Sequence, residues 1–369
     1  MNLTILGGGN LAHAVAVTAS HHFENVSILT SNRDPWGKRL TAIFPDGTEV
    51  VSREITVSEK AEETIPFSDV ILSTLPGHIV PEKLREIKGF MKQGQMVGSV
   101  TASGGFFWIA GNVLGENFPL FAFQRVPFIC RIIEKGKTVD ISGLKNELFA
   151  ASTGVEKNKE RYDLATTLFK KSFKTEIIHL SSYLETTISN SNPILHTTRL
   201  CSMIKNPSDK DKAFFYRDWD DETSKILLKC DKEISDIIIS LAIPFPLFKT
   251  LTEHYEVDNW SELTVKMRSI EAFRNITFPL KEKGSGLFFP DPSNRYFTED
   301  VPYGLLILRS IADICGVSTP GMDQVISELQ DYSGKKYLEK NKLKGEDVKY
   351  SGIPQNYGIK TKQQLIDLF

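Results

Sequence analysis

The sequence predicts an α/β protein of two domains, a doubly wound parallel sheet over residues 1–180 and a mainly α-helical second domain over residues 181–369. Three observations predict it. A short apolar strand runs directly into glycines spaced G-x-G-x-x-A, strand-like and helix-like segments alternate through the first half, and beyond Leu180 the strand signals give way to longer helical periods. A chain of 369 residues that is 41% hydrophobic has the material for two such cores.

Residues 3–6 form the first strand and residues 12–19 the helix after the glycines. Residues 26–30 make the second strand. Residues 69–74, Asp-Val-Ile-Leu-Ser-Thr, read as a buried strand ended by Leu75-Pro76-Gly77, and residues 95–100 and Leu120–Phe123 supply two more. In the second domain Ile226, Leu227, Cys230, Ile234, Ile237, Ile238 and Leu241 recur at helical spacing until Pro244 stops the run. Residues 301–315 read as a helix opened by Thr298-Glu299-Asp300, with Pro302 in its first turn, and Thr319-Pro320 opens another.

The glycine pattern reads as a dinucleotide-binding turn. Gly7 lets the chain turn tightly, Gly9 lets backbone N–H groups approach a pyrophosphate, and small Ala12 lets the helix pack on the strand; Asn10 and Leu11 open that helix, whose N-terminus faces the phosphates. The alternative is a purely structural glycine turn. Ligands of doubly wound sheets sit beyond the carboxyl ends of strands, which sets Leu75 and Pro76 and residues 101–105 along the cofactor crevice, unless Pro and Gly there serve turn chemistry alone. After the second strand come Thr30-Ser31-Asn32-Arg33 rather than an acid. Hydroxyls and a guanidinium at that point suit a 2′-phosphate, so Thr30, Ser31 and Arg33 favour NADP(H). Arg33 as a surface charge beside Asp34 is the alternative, and it leaves NAD(H) usable.

A net charge of -2 without a basic stripe excludes nucleic acid as an expected partner. The four cysteines, Cys130, Cys201, Cys230 and Cys315, form no C-x-x-C pair, so no metal is expected and a reducing cytoplasm suits them. The first apolar run is broken by glycines and lacks a basic flank, which is not the pattern of a signal peptide, and no apolar run reaches membrane-spanning length. The aromatic content is compatible with a homodimer.

The candidate chemistry lies in the second domain. Ser191-Asn192-Pro193-Ile194-Leu195-His196 places a histidine just inside a helix, where its proton affinity suits acid–base work. A buried structural histidine is the alternative. Further on, Asn294-Arg295-Tyr296-Phe297-Thr298-Glu299-Asp300 sets an arginine, two acids and aromatics beside a helix start, able to hold a substrate carboxylate and to orient His196. A mutual Arg295–Asp300 ion pair capping the following helix is the competing reading.

These segments resemble the opine dehydrogenase family, the octopine and nopaline dehydrogenases and their relatives. The likeness rests on residues 7–14, Gly-Gly-Gly-Asn-Leu-Ala-His-Ala, on residues 127–131, Pro-Phe-Ile-Cys-Arg, on Asn192-Pro193-Ile194-Leu195-His196, and on residues 295–305, Arg-Tyr-Phe-Thr-Glu-Asp-Val-Pro-Tyr-Gly-Leu. The resemblance implies a Rossmann-type domain followed by a helical domain, and NAD(P)H-dependent condensation of an amino acid with an α-keto acid such as pyruvate. By the same resemblance His196 is the general acid/base, Asp300 its partner, Arg295 the carboxylate clamp and Cys130 a substrate-pocket residue, although Cys130 reads equally as a small buried apolar side chain. Asn10 and His13 either belong to the cofactor turn or satisfy backbone groups beside it. One departure stands out: where the family brings an amide side chain to the substrate, this chain has Thr101-Ala102-Ser103-Gly104-Gly105, with Ser103 as the shorter substitute. Two other readings share the glycine turn, a ketopantoate or glycerol 3-phosphate type of reductase and a nucleotide-binding sensor without turnover.

Overall fold

The structure is a computed structural model that describes every residue except Glu116, Ser285, Leu368 and Phe369. It divides into two compact units, Met1–Thr187 and Ile188–Asp367. Among the described residues no helix is long and apolar enough to cross a membrane.

The first unit is built on an eight-stranded sheet. From one edge to the other its strands are Glu176–His179, Glu147–Thr153, Leu120–Phe123, Met96–Val100, Val70–Ser73, Asn2–Leu6, Asn25–Leu29 and Thr56–Ser58. The run from Leu120–Phe123 to Thr56–Ser58 is parallel, and Glu147–Thr153 then pairs antiparallel with Leu120–Phe123. Val70–Ser73, Met96–Val100 and Leu120–Phe123 are buried at every position, as a parallel sheet covered on both faces requires. Gly98 stands opposite Phe121 in register, and a Cβ on it would meet the Phe121 ring at 2.2 Å. The ring fills the space a side chain would take.

A second sheet of four short strands, in the order Glu49–Val51, Thr41–Ile43, Thr138–Leu144 and Phe128–Glu134, is absent from the sequence reading. Two of its strands, Thr41–Ile43 and Glu49–Val51, have three residues each, too few to show alternation. This sheet explains the helix Asn10–Ala19. Every residue from Ala12 to Ala19 is buried, because the large sheet covers one side and the small sheet the other.

The second unit centres on the helix Asn192–Lys205, buried without interruption from Pro193 to Met203. Against it pack Asp221–Leu241 and Pro320–Ser333, with Leu306–Cys315 lying against both of these, and a three-stranded antiparallel sheet of Lys212–Phe214, Thr277–Glu282 and Phe288–Pro290 completes the unit. Asp220 caps the long helix by accepting from the Thr223 N–H at 2.8 Å, and Ala242, in the left-handed region, ends it ahead of Pro244. The helix expected over residues 301–315 is two elements. A π-helical turn, Val301–Leu305, closed by the Leu305 N–H on the Asp300 carbonyl at 2.8 Å, leads into Leu306–Cys315. Asp300 makes no side-chain cap there. Nor does Thr319 cap Pro320–Ser333: Glu233 takes the Gly321 and Met322 N–H groups instead.

Candidate active site

In the first unit the chain leaves strand Asn2–Leu6 through Gly7, whose φ of +111° is open to glycine alone at little cost. A Cβ on Gly8 would meet the Thr30 hydroxyl at 2.6 Å, whereas one on Gly9 would meet nothing within 4 Å. The helix therefore begins with an open N-terminus: no side chain caps it and its first turn carries no acid. Leu75 overhangs the same turn, 3.0 Å from where a Gly7 Cβ would stand. The Asn10 side chain is used elsewhere, its Oδ1 accepting from the Ile132 N–H at 2.9 Å, and His13 Nε2 accepts from the Gly136 N–H at 2.8 Å. Both side chains tie the small sheet to the helix. Trp36 stacks on His13 at 4.2 Å between centroids, and its buried indole N–H has no partner among the described residues.

Thr30 is buried, while Ser31 and Arg33 are exposed. The sequence reading found no acid at this position, but the fold brings one from a neighbouring strand. Glu59, just beyond Thr56–Ser58, accepts from the Arg33 backbone N–H at 2.8 Å. Glu63 lies nearby, held below the usual carboxylate range by the Ser58 hydroxyl and, less strongly, by Lys60 and Arg33. Ser103 is half-buried and its hydroxyl bonds that of Thr101. Cys130 sits in the apolar core opposite Ile141, and burial pushes its thiol up to about 11, so it stays protonated.

In the second unit Pro193 starts the central helix and His196 stands one turn in, 5% exposed. Its Nδ1 lies 2.9 Å from Asp300 Oδ2 and its Nε2 lies 3.3 Å from the Tyr216 hydroxyl. Tyr296 stacks flat on the imidazole at 4.1 Å and Phe215 meets it edge-on at 5.7 Å. Because a carboxylate only accepts, Nδ1 carries the hydrogen and Nε2 is the atom free to exchange a proton. Arg199, next but two along the helix, donates from Nε to the Phe215 carbonyl at 3.0 Å and from Nη1 to Asp220 at 2.7 Å, which fixes the segment bearing Tyr216. Arg295 is exposed, its guanidinium 5.1 Å above the Tyr296 ring and without an ion pair among the described residues. The Arg295–Asp300 ion pair that the sequence left open is therefore not formed. Tyr216 was not legible as a neighbour of His196, since no spacing rule links a helix residue to a loop that follows a strand of the three-stranded sheet.

Residues 179–333 match the family model described as NAD/NADP octopine/nopaline dehydrogenase, alpha-helical domain. The opine dehydrogenase of Haliotis discus hannai is 27% identical over 404 aligned positions, covering 100% of this chain and 99% of its own. The octopine dehydrogenase of Pecten maximus is 25% identical, covering 99% and 98%. An octopine dehydrogenase solved with NADH and L-arginine superposes with a TM-score of 0.85 at 24% identity, over 99% of this chain and 98% of that one. Similarity along the whole chain, joined to a family model over the residues that carry His196 and Asp300, makes this protein similar to the opine dehydrogenases, dehydrogenases that act on the CH–NH group of their donor.

Proposed function

We propose that the protein reductively condenses the amino group of an amino acid with an α-keto acid such as pyruvate, through an imine, to a secondary amine dicarboxylate. The observation that carries this reading is the buried His196, paired with the half-buried Asp300, beside an exposed Arg295 that holds no ion pair among the described residues. The names of the similar proteins, octopine and opine dehydrogenases, support the same class of substrate.

A nicotinamide dinucleotide fits the first unit. The open space at Gly9, the uncapped helix start without acids and the orphaned Trp36 N–H are what an anionic pyrophosphate needs. In this reading Gly7, Gly9 and the N–H groups of Asn10, Leu11 and Ala12 hold the cofactor, with Leu75 and Pro76 beside it. Thr30, Ser31 and Arg33 meet the adenosine ribose, with NADP(H) preferred, NAD(H) also used and Glu59 tempering the preference. When bound, the reduced cofactor supplies the hydride that saturates the imine carbon.

His196 acts through Nε2. It takes a proton from the substrate ammonium or amine and gives one to the departing carbinolamine oxygen, which leaves as water. Asp300 keeps Nδ1 protonated throughout and stabilises the imidazolium when Nε2 is loaded. Arg295 offers its planar fork to a substrate carboxylate. The unpaired cysteines are consistent with a reducing compartment such as the cytoplasm.

The test is oxidation of NADPH and of NADH with keto acids, each paired with a panel of amino acids. Turnover that requires both partners is the expected result. Turnover with a keto acid alone, unchanged by any amine, would replace this reading with a simple ketoacid reductase.

A further inference from the structure

We propose that Tyr216 is a positioning residue for His196, its hydroxyl donating to Nε2 and so favouring the neutral imidazole that Asp300 works to charge. The inference rests on His196 being the acid–base group of the proposed reaction.

Tyr216 is 6% exposed and its hydroxyl stands 3.3 Å from His196 Nε2, a length ordinary for an acid–base contact before substrate tightens the site. Its ring is clamped between Trp219, parallel within 4° at 5.9 Å, and Phe273, at 4.5 Å. The backbone beside it is fixed as well, since the Phe215 N–H donates to Ile276 at 2.8 Å and the Phe215 carbonyl accepts from Arg199. Burial, with Tyr296, Tyr255 and Asp300 adding to it and Arg295 opposing, pushes the phenol well above its ordinary value. The hydroxyl therefore stays protonated over the working pH range and always has a hydrogen to give.

Nδ1–H is committed to Asp300, so the neutral ring has its lone pair on Nε2, facing that hydroxyl. The bond exists in full only while Nε2 is unprotonated. Once Nε2 carries a proton, N–H faces O–H and the phenol must turn its hydrogen away. A bond made to the neutral form favours that form, whereas the negative charge of Asp300 favours the cation. Tyr296 stacks on the imidazole from the short helix Arg295–Thr298 and Phe215 meets its edge, while the hydrogen bond of Nε2 is the one to Tyr216. Arg199, on the same helix, has its guanidinium turned to Phe215 and Asp220.

Tyr216→Phe keeps the ring in its stack and removes only the hydroxyl. A neutral hydrogen bond contributes about 0.5–1.5 kcal/mol, so the limb of the pH–rate profile set by the acid–base group should move to higher pH by up to about one unit, with KM nearly unchanged. Asp300→Asn should move it the other way. A folded Tyr216→Phe enzyme whose profile superimposes on the parent's overturns the proposal. A readout independent of turnover is the pH titration of the 15N-labelled His196 imidazole by NMR, its signal identified by loss in His196→Ala. There the Nε2 resonance should shift in Tyr216→Phe and titrate at higher pH; coincident curves overturn the proposal even if the protein turns out to condense no amino acid. Should Tyr216→Phe not fold, 3-fluorotyrosine at position 216, a stronger donor of nearly equal volume, should move the curve to lower pH, and an unmoved curve again overturns the proposal.

Discussion

His196 Nδ1 and Asp300 Oδ2 lie 2.9 Å apart although 104 positions separate the two residues in the chain. The contact depends on two backbone features. Pro193 begins the central helix one turn before His196, and Gly304, in the π turn after Asp300, packs so closely on Pro193 that a Cβ would come within 2.8 Å of it. A glycine at that point lets the two segments close, and the closure sets the carboxylate against the imidazole.

His196→Ala should lower kcat by about 10²- to 10⁴-fold while cofactor affinity stays near the parent's, the range expected for losing general acid/base help. Asp300→Asn keeps an acceptor for Nδ1–H and removes only the charge. Its kcat should fall and its pH profile shift with little change in melting temperature, because Asp300 makes no side-chain cap to the following turn. Steady-state kinetics beside cofactor titration separates these outcomes. Parent-like turnover in a folded His196→Ala protein would return the histidine to a packing role.

Arg295→Lys keeps the charge and loses the planar fork. Since Arg295 is exposed and holds no ion pair among the described residues, its melting temperature should stay within about 1–2 °C of the parent, in line with the small effects of surface substitutions. KM for one carboxylate substrate should rise several-fold. A loss of stability with unchanged KM would identify the residue as structural.

The cofactor preference has a two-sided test. Arg33→Ala should narrow the ratio of NADPH to NADH affinity, and Glu59→Gln, which removes the acid beside Arg33, should widen it, each by about two- to fivefold for an exposed charge contact. Isothermal titration with both cofactors measures the ratio. Movement in the same direction for both variants would show that neither faces the 2′ position.

What the sequence made legible follows from the range of each signal. The glycine turn, the buried strands and a helix with His196 just inside it are written in residues a few positions apart, and the strand Leu120–Phe123 matches its expected bounds to the residue. His196, Arg295 and Asp300 were legible as chemistry through their family resemblance, whereas their mutual geometry was not. The choice between an Asp300 cap and an Asp300–His196 contact is made by the π turn, which no propensity foretells. Glu59 and Tyr216 were missed for one reason: each reaches its partner by tertiary pairing, one across parallel strands and the other from a loop beside the three-stranded sheet.

Asp231 gives a pH prediction outside the site. It is buried on the helix Asp221–Leu241, accepts from the Leu251 N–H at 2.9 Å, and burial raises its carboxyl to about 6 against that bond. The folded value lies above the unfolded one of about 3.9, so the native state binds the proton more tightly. The resulting stabilisation is full below about pH 4 and is lost as pH rises through 6. Asp231→Asn keeps the acceptor without the charge. It should raise stability at pH 7 by about 1–3 kcal/mol and flatten the dependence between pH 4 and 6 in urea unfolding. An equal slope in both proteins would place the titration elsewhere.

Gly98 and Gly9 make opposite demands on the same substitution. Alanine at Gly98 drives a Cβ into the Phe121 ring at 2.2 Å, an overpacking that should cost about 1–3 kcal/mol and lower the melting temperature by several degrees. Cofactor affinity in the surviving folded protein should change little, since residue 98 lies inside the sheet. Alanine at Gly9 meets nothing within 4 Å and its φ of −87° suits any residue, so the cost is confined to a poorer helix cap, under about 1 kcal/mol. There the methyl group occupies the space assigned to the pyrophosphate, and cofactor affinity should fall at least tenfold. Thermal unfolding and cofactor titration of the two variants therefore give crossed results. A Gly9→Ala protein that binds the cofactor as the parent does would remove the glycine turn from the cofactor site.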